Sequence, residues 1–228
     1  MTSSSDQGPV RLSKRLEAFR ARIVEDRDGE PLPTEDEHPP KTAAELRRER
    51  MLELIELQLP VDVRHASIGA LPQTPAGKAA RSWAISPDGR NCVHLGPTGR
   101  GKTWASAAQA RALAGRHGIY VRWLTTKQMF AGLRPDGGLD MDRIVRADVL
   151  VLDELGADVL TEWEHGILGQ VVDARVSNHR PIITTSNLTA EELADVLDER
   201  IWSRLMLGRA EAPTVPIRWG GPDRRRTG

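Results

Sequence analysis

The sequence predicts an α/β fold: a parallel sheet flanked by helices, preceded by a helical arm. Three observations predict it. From about residue 61 onward, short apolar runs of strand length alternate with helix-like segments, which is the pattern of a parallel sheet covered by helices. The run Asp148–Leu152 is almost continuously apolar, as expected of a strand buried on both faces. Asn91–Leu95 leads through a glycine-rich loop into an alanine-rich segment, a strand–loop–helix order suited to phosphate binding.

Taken in order, residues 1–9 are small and polar and are expected to lack order. Leu12, Leu16, Phe19 and Ile23 recur at helical spacing and predict a helix over 11–25 whose narrow apolar stripe suits docking. Residues 28–40 are rich in proline and acids and read as a linker. Thr42-Ala-Ala-Glu45 is a capping box that opens a second helix, ending near Pro60. A helix from Lys102 is expected to stop near Gly115, and a strand to follow over Gly118–Leu124. Thr126–Arg134 and Leu139–Arg146 read as short helices broken by Pro135-Asp-Gly-Gly138. Thr161 and Glu164 form another capping box, for a helix to about Ser177. Pro181–Thr184 is a short strand, and Thr189 with Glu192 caps the next helix.

Composition excludes several classes. Hydrophobic residues make up 39% of the 228, enough for one real core, and no apolar run approaches the ~18–20 residues of a membrane span. The N-terminal residues lack the basic-then-apolar order of a signal peptide, so a soluble cytoplasmic protein is expected. Cys92 is the lone cysteine, which rules out an intramolecular disulfide and a cysteine-rich zinc site. The histidines show no metal-ligand spacing. Formal net charge is zero, yet Lys and Arg outnumber Asp and Glu nine to three over 100–146 and are outnumbered twelve to two over 147–199, which is either ordinary solvated surface or two faces of opposite sign.

The chemistry starts at Gly96-Pro97-Thr98-Gly99-Arg100-Gly101-Lys102-Thr103. Its glycines let backbone N–H groups turn inward onto phosphate oxygens, and the helix that follows adds its positive end. Lys102 would bridge the β- and γ-phosphates, and the Thr103 hydroxyl would ligate Mg²⁺. Asp153 and Glu154 follow the apolar strand, at the edge where α/β sheets bind ligands. Asp153 suits a Mg²⁺ role, and Glu154 suits orienting and deprotonating an attacking water. Such a pair favours hydrolysis over transfer to a second substrate. Asn187, after Thr184-Thr-Ser, would either lie beside the γ-phosphate and hold that water or serve as a helix cap. Arg200 and Arg204, four apart, share a helix face. They either pair with nearby acids or reach the γ-phosphate of a neighbouring subunit.

Taken together these motifs resemble the DnaC/IstB-like family of AAA+ ATPases, the helicase loaders and transposition ATPases. The resemblance runs from about Leu59 to the C-terminus. It implies an arm at residues 1–58 that binds a partner, and an ATPase domain at 59–228. It identifies 96–103 as Walker A, Leu150–Gly156 as Walker B, Thr185-Ser-Asn187 as sensor 1 and Glu199–Leu205 as the arginine-finger segment, with Arg204 acting in trans. The ligands it implies are ATP and Mg²⁺. Gly221-Pro-Asp-Arg-Arg225 stands where the family ends on an arginine that senses nucleotide, which would be Arg225, but it lacks the family's aromatic. Lys127, Arg134, Arg143 and Arg146 lie where this clade carries an insertion along single-stranded DNA. The function implied is loading of a hexameric replicative helicase by a head-to-tail homo-oligomer. The alternatives are an IstB-like ATPase regulating a transposase, and a nucleotide switch that does not turn over.

Overall fold

A computed structural model of the chain describes residues 40–86 and 89–223. The helix expected over 11–25, nearly all of the linker, and Arg225 lie outside these residues.

The elements are local responses to sequence. Helix α1 (Ala43–Glu56) opens on the expected capping box, in which Thr42 N–H donates to Glu45 Oε2 at 2.7 Å and Glu45 N–H donates to Thr42 Oγ1 at 3.3 Å. Helix α2 (Pro75–Ile85) starts with Thr74 as cap and proline in its first turn, where the missing N–H costs nothing. Then come β1 (Cys92–Leu95), α3 (Lys102–His117), β2 (Val121–Thr125), α4 (Thr126–Leu133), α5 (Met141–Arg146) and β3 (Val149–Asp153). After these follow α6 (Glu162–Ser177), β4 (Ile182–Ser186), α7 (Ala190–Val196) and α8 (Glu199–Trp202). A π-helical turn, Ser203–Leu207, continues α8. The short strands β5 (Gly208–Arg209) and β6 (Ala212–Pro213) pair antiparallel, and β7 (Val215–Arg218) closes the order. Helix α3 runs past Gly115 to Gly118, which takes the left-handed conformation and donates its N–H to Ala114 O at 2.9 Å. Gly115 stays helical and lies against Leu52 of α1.

The sheet has the order β2-β3-β4-β1-β7, with all pairs parallel. Side-chain alternation divides the core into two layers. Cys92, Val151 and Ile183 face a layer with Ile55, Trp83 and the alanines of α3. Val93, Leu150, Leu152 and Ile182 face the other, with Phe130, Ile144, Leu168 and Val172. Burying each large aliphatic side chain contributes about 1.5–3 kcal/mol. Alanine at positions 105, 107, 108, 110 and 112 lets α3 lie close on the sheet.

Among the described residues, those from Thr42 on form one compact unit, and the boundary expected at 58/59 falls inside it. Arg47 Nε donates to Gly118 O at 2.8 Å, and Arg111 pairs with Glu56 at 2.5 Å. Gln58 meets the edge strand, donating to Val121 O at 3.3 Å and accepting from Trp123 N–H at 3.1 Å. That contact covers an edge of the sheet that would otherwise be open to pairing.

Candidate active site

The glycine-rich loop links β1 to α3 at the C-terminal edge of the sheet. Gly96, Gly99 and Gly101 have φ of 131°, 78° and 93°. Side chains would be strained there, so glycine is what lets successive N–H groups turn into one concavity. The loop is backed by the segment after β7. A Cβ on Gly96 would come within 2.2 Å of Trp219 O, and one on Gly99 within 2.2 Å of Asp223 Oδ1. Trp219 is fixed in turn: its N–H donates to Leu95 O at 2.7 Å, and its indole N–H donates to His94 Nδ1 at 2.8 Å.

Lys102 is buried and folds back on its own loop. Its Nζ donates to Gly96 O at 2.6 Å, to Pro97 O at 2.8 Å and to Asn187 Oδ1 at 2.8 Å. The last contact spans 85 residues and brings the end of β4 to the loop. Thr103 Oγ1 donates to Asp153 Oδ1 at 3.1 Å, and Thr185 Oγ1 donates to the same oxygen at 2.5 Å. Thr185 Oγ1 also accepts the Glu154 N–H at 3.0 Å. Strand β4 continues two residues beyond Thr184, and this extension is what places Thr185 beside Asp153. Asp153 is 3% exposed, and burial holds its carboxyl above the ordinary carboxylate value, partly offset by the two threonine hydroxyls. Glu154 is exposed and has φ of 63°, a left-handed conformation that costs a non-glycine residue roughly 1–3 kcal/mol and clusters at functional sites.

The donor set fits a nucleotide phosphate with a hard divalent cation. It offers the Thr103 hydroxyl beside the Asp153 carboxylate, and the Lys102 ammonium on the loop carbonyls, and Mg²⁺ is commonly held by one or two such oxygens plus phosphates. Pro97 and Thr98 are exposed at the tip of the loop, and Arg100 is half-buried.

Arg204 is not brought to this site. Its carbonyl accepts from Asn91 Nδ2 at 3.2 Å, at the opposite end of β1 from the loop. Five extended residues separate those ends, roughly 16 Å. Arg200 and Arg204 both pair with Asp173 of α6. Asp173 and Asp223 carry no sequence signal, whereas Thr185 sits within the Thr-Ser-Asn already singled out.

Lys127 and Arg134 line a cavity of about 370 Å³ together with Phe130, Glu154, Val159 and Leu160. Arg134 stacks over Trp163, 5.4 Å from its centroid. Arg146 pairs with Asp142 on its own helix at 2.9 Å. Trp123 is buried, Trp202 is half-buried, and Trp163 is 40% exposed.

A family model described as IstB-like ATP binding protein matches residues 44–218. The replicative helicase loader DnaC of Escherichia coli K12 is 29% identical over 147 residues, 60% of each chain, so the match spans less than two thirds of that relative. A putative ATP-binding protein of insertion sequence IS1162 from Pseudomonas fluorescens is 34% identical over 100 residues, 42% of this chain and 43% of that one. Among solved structures, the crystal structure of the DnaI superposes with a TM-score of 0.62 at 24% identity, covering 75% of this chain and 99% of that one. This likeness is one of fold, a parallel sheet flanked by helices.

Proposed function

The chain belongs to the family of IstB-like ATP-binding proteins, an ATPase family, and from that premise we propose that it is an ATP-dependent loader of a hexameric replicative helicase onto single-stranded DNA. The observation that carries the loader reading is the 29% identity with DnaC over 147 residues.

In this reading the loop 96–103 binds the phosphates of ATP. Lys102 leaves the carbonyls of Gly96 and Pro97 for the β- and γ-oxygens, which frees Asn187 to hold the attacking water. Thr103 and Asp153 would hold Mg²⁺. When bound, that ion neutralises phosphate charge and orients the γ-phosphoryl group. Glu154 orients the water and takes its proton. Arg204 lies too far to serve its own loop, so it acts on the next subunit of a head-to-tail assembly. Arg225 would sense the nucleotide from the C-terminal segment. The N-terminal residues before the compact unit bind the helicase, and α1 belongs to the ATPase body.

A helicase-loading assay tests this reading. The chain is added with ATP to its cell's replicative helicase and to a single strand coated with its binding protein. Unwinding should rise with the wild type and not with Lys102→Ala. Unwinding unchanged by the chain would count against loading. The match to the IS1162 protein favours a second reading, regulation of a transposase. That reading expects ATP-dependent binding to duplex rather than single-stranded DNA.

A further inference from the structure

The two arginines of the α8 segment share one carboxylate. Asp173 Oδ1 receives Arg204 Nε at 2.6 Å, and Asp173 Oδ2 receives an amino group of Arg200. The Asp173 side chain is 20% exposed, against 70% for Arg200 and 38% for Arg204, so the acid sits beneath its partners. A carboxylate can grip an arginine by two parallel hydrogen bonds, using both oxygens. Here the two oxygens are divided: Arg200 pairs with Oδ2, and Arg204 approaches Oδ1 through Nε as an ion pair. Among the described residues the two amino groups of Arg204 make no hydrogen bond, and its one ion-pair partner is Asp173.

The backbone end of Arg204 is held as well. Asn91, buried at the start of β1, donates to Arg204 O at 3.2 Å and accepts the Ile182 N–H at 3.0 Å. Thr214 Oγ1 donates to Leu205 O at 2.8 Å. These contacts fasten the π-helical turn that carries Arg204 to the sheet, and such turns recur at functional sites. Both ends of the side chain's stem are fixed while the amino groups stay available.

We propose that Asp173 is a positioning residue: it holds Arg204 at Nε so that the outer edge of the guanidinium faces the nucleotide of a second copy of this chain. This rests on the reading of Arg204 as an arginine acting in trans. A guanidinium held this way loses little freedom when it meets phosphate, whereas a free one must be ordered at each turnover.

The test is steady-state ATP hydrolysis by the full chain at saturating ATP with a poly-dT oligonucleotide. A fluorescent ATP analogue gives nucleotide affinity, and thermal melting gives stability. Arg204→Ala should lower kcat by roughly 10³-fold. Asp173→Ala should lower it by roughly 10²-fold, the scale of a small misplacement, with nucleotide affinity unchanged. Asp173→Glu should recover part of the rate, and the double variant should be no slower than Arg204→Ala alone. A simple loss of stability would not give that non-additivity. If Asp173→Ala does not fold, Asp173→Asn, which keeps an acceptor but no charge, should give an intermediate kcat. Wild-type or faster hydrolysis by a folded Asp173 variant, with Arg204→Ala inactive, would overturn the positioning role alone. Wild-type hydrolysis by Arg204→Ala would overturn the trans reading beneath it.

Discussion

Thr185→Val removes a hydroxyl from the centre of the site and little else. That hydroxyl donates to Asp153 Oδ1 at 2.5 Å and accepts the Glu154 N–H at 3.0 Å. Asp153 is 3% exposed, so water replaces the lost donor poorly. A hydrogen bond to a charged group contributes about 1.5–3 kcal/mol and one to a neutral N–H about 1 kcal/mol, so the loss of stability should be about 2–4 kcal/mol. A second effect acts on titration. Burial raises the Asp153 carboxyl, and the Thr185 hydrogen bond is the largest influence pulling it back. Without it the carboxyl rises further. The acid limb of ATP hydrolysis should then move to higher pH and the Mg²⁺ requirement should increase, because the cation needs the deprotonated oxygen. The sign for folding follows from the same shift. Between the ordinary value of 3.8 and the raised folded value, the folded chain holds the proton more tightly than the unfolded chain. Stability therefore falls as pH rises through that window, and falls further in the variant. Initial rates across the acidic and neutral range, Mg²⁺ titrations and urea melts measure all three. Thr185→Ser should behave as wild type. A valine variant with the wild-type acid limb and Mg²⁺ dependence would refute the reasoning.

Further outcomes follow from other contacts. Gly96→Ala would set a methyl 2.2 Å from the carbonyl of Trp219 at a φ of 131°, and overpacking there should cost about 1–3 kcal/mol in urea unfolding and weaken ATP binding. Arg175 is fully buried and donates to the carbonyls of Ile144, Val145, Ala147, Asp148 and Pro181. Arg175→Met leaves these carbonyls without their donor and should cost about 3 kcal/mol, read as a lower melting temperature. His94 is buried between Trp219 and Gln109, and burial lowers its pKa from 6.5 to about 4. The unfolded chain binds the proton more readily in that window, so about 3 kcal/mol of stability present above pH 6.5 is lost as pH falls toward 4. His94→Gln should flatten the melting temperature over that range.

Local signals were legible wherever one residue decides the backbone. The capping boxes at Thr42, Thr161 and Thr189 all open helices, because the reciprocal hydrogen bonds lie within four residues. That the loop, Asp153 and Asn187 converge was legible because neighbouring parallel strands end at one edge of the sheet. Gly115 misled because a small residue in a helix also serves close packing, here against Leu52, while Gly118 ends the helix. Strand β7 was hidden by Pro216, which an edge strand tolerates. Helix α2 was missed although Thr74-Pro75 is a start signal. The Asp173 pair joins separate helices, and the seat of Asp223 on the loop joins segments more than 120 residues apart. No periodicity encodes either contact.

The most direct test of the loader account is co-purification with the cell's hexameric replicative helicase in ATP and Mg²⁺, comparing the full chain with residues 42–228. That truncation keeps the contacts of α1 with α3. The account predicts that the full chain retains the helicase and the truncated chain, still able to bind ATP, does not. Retention of a transposase instead, or of no helicase by either form, would contradict it.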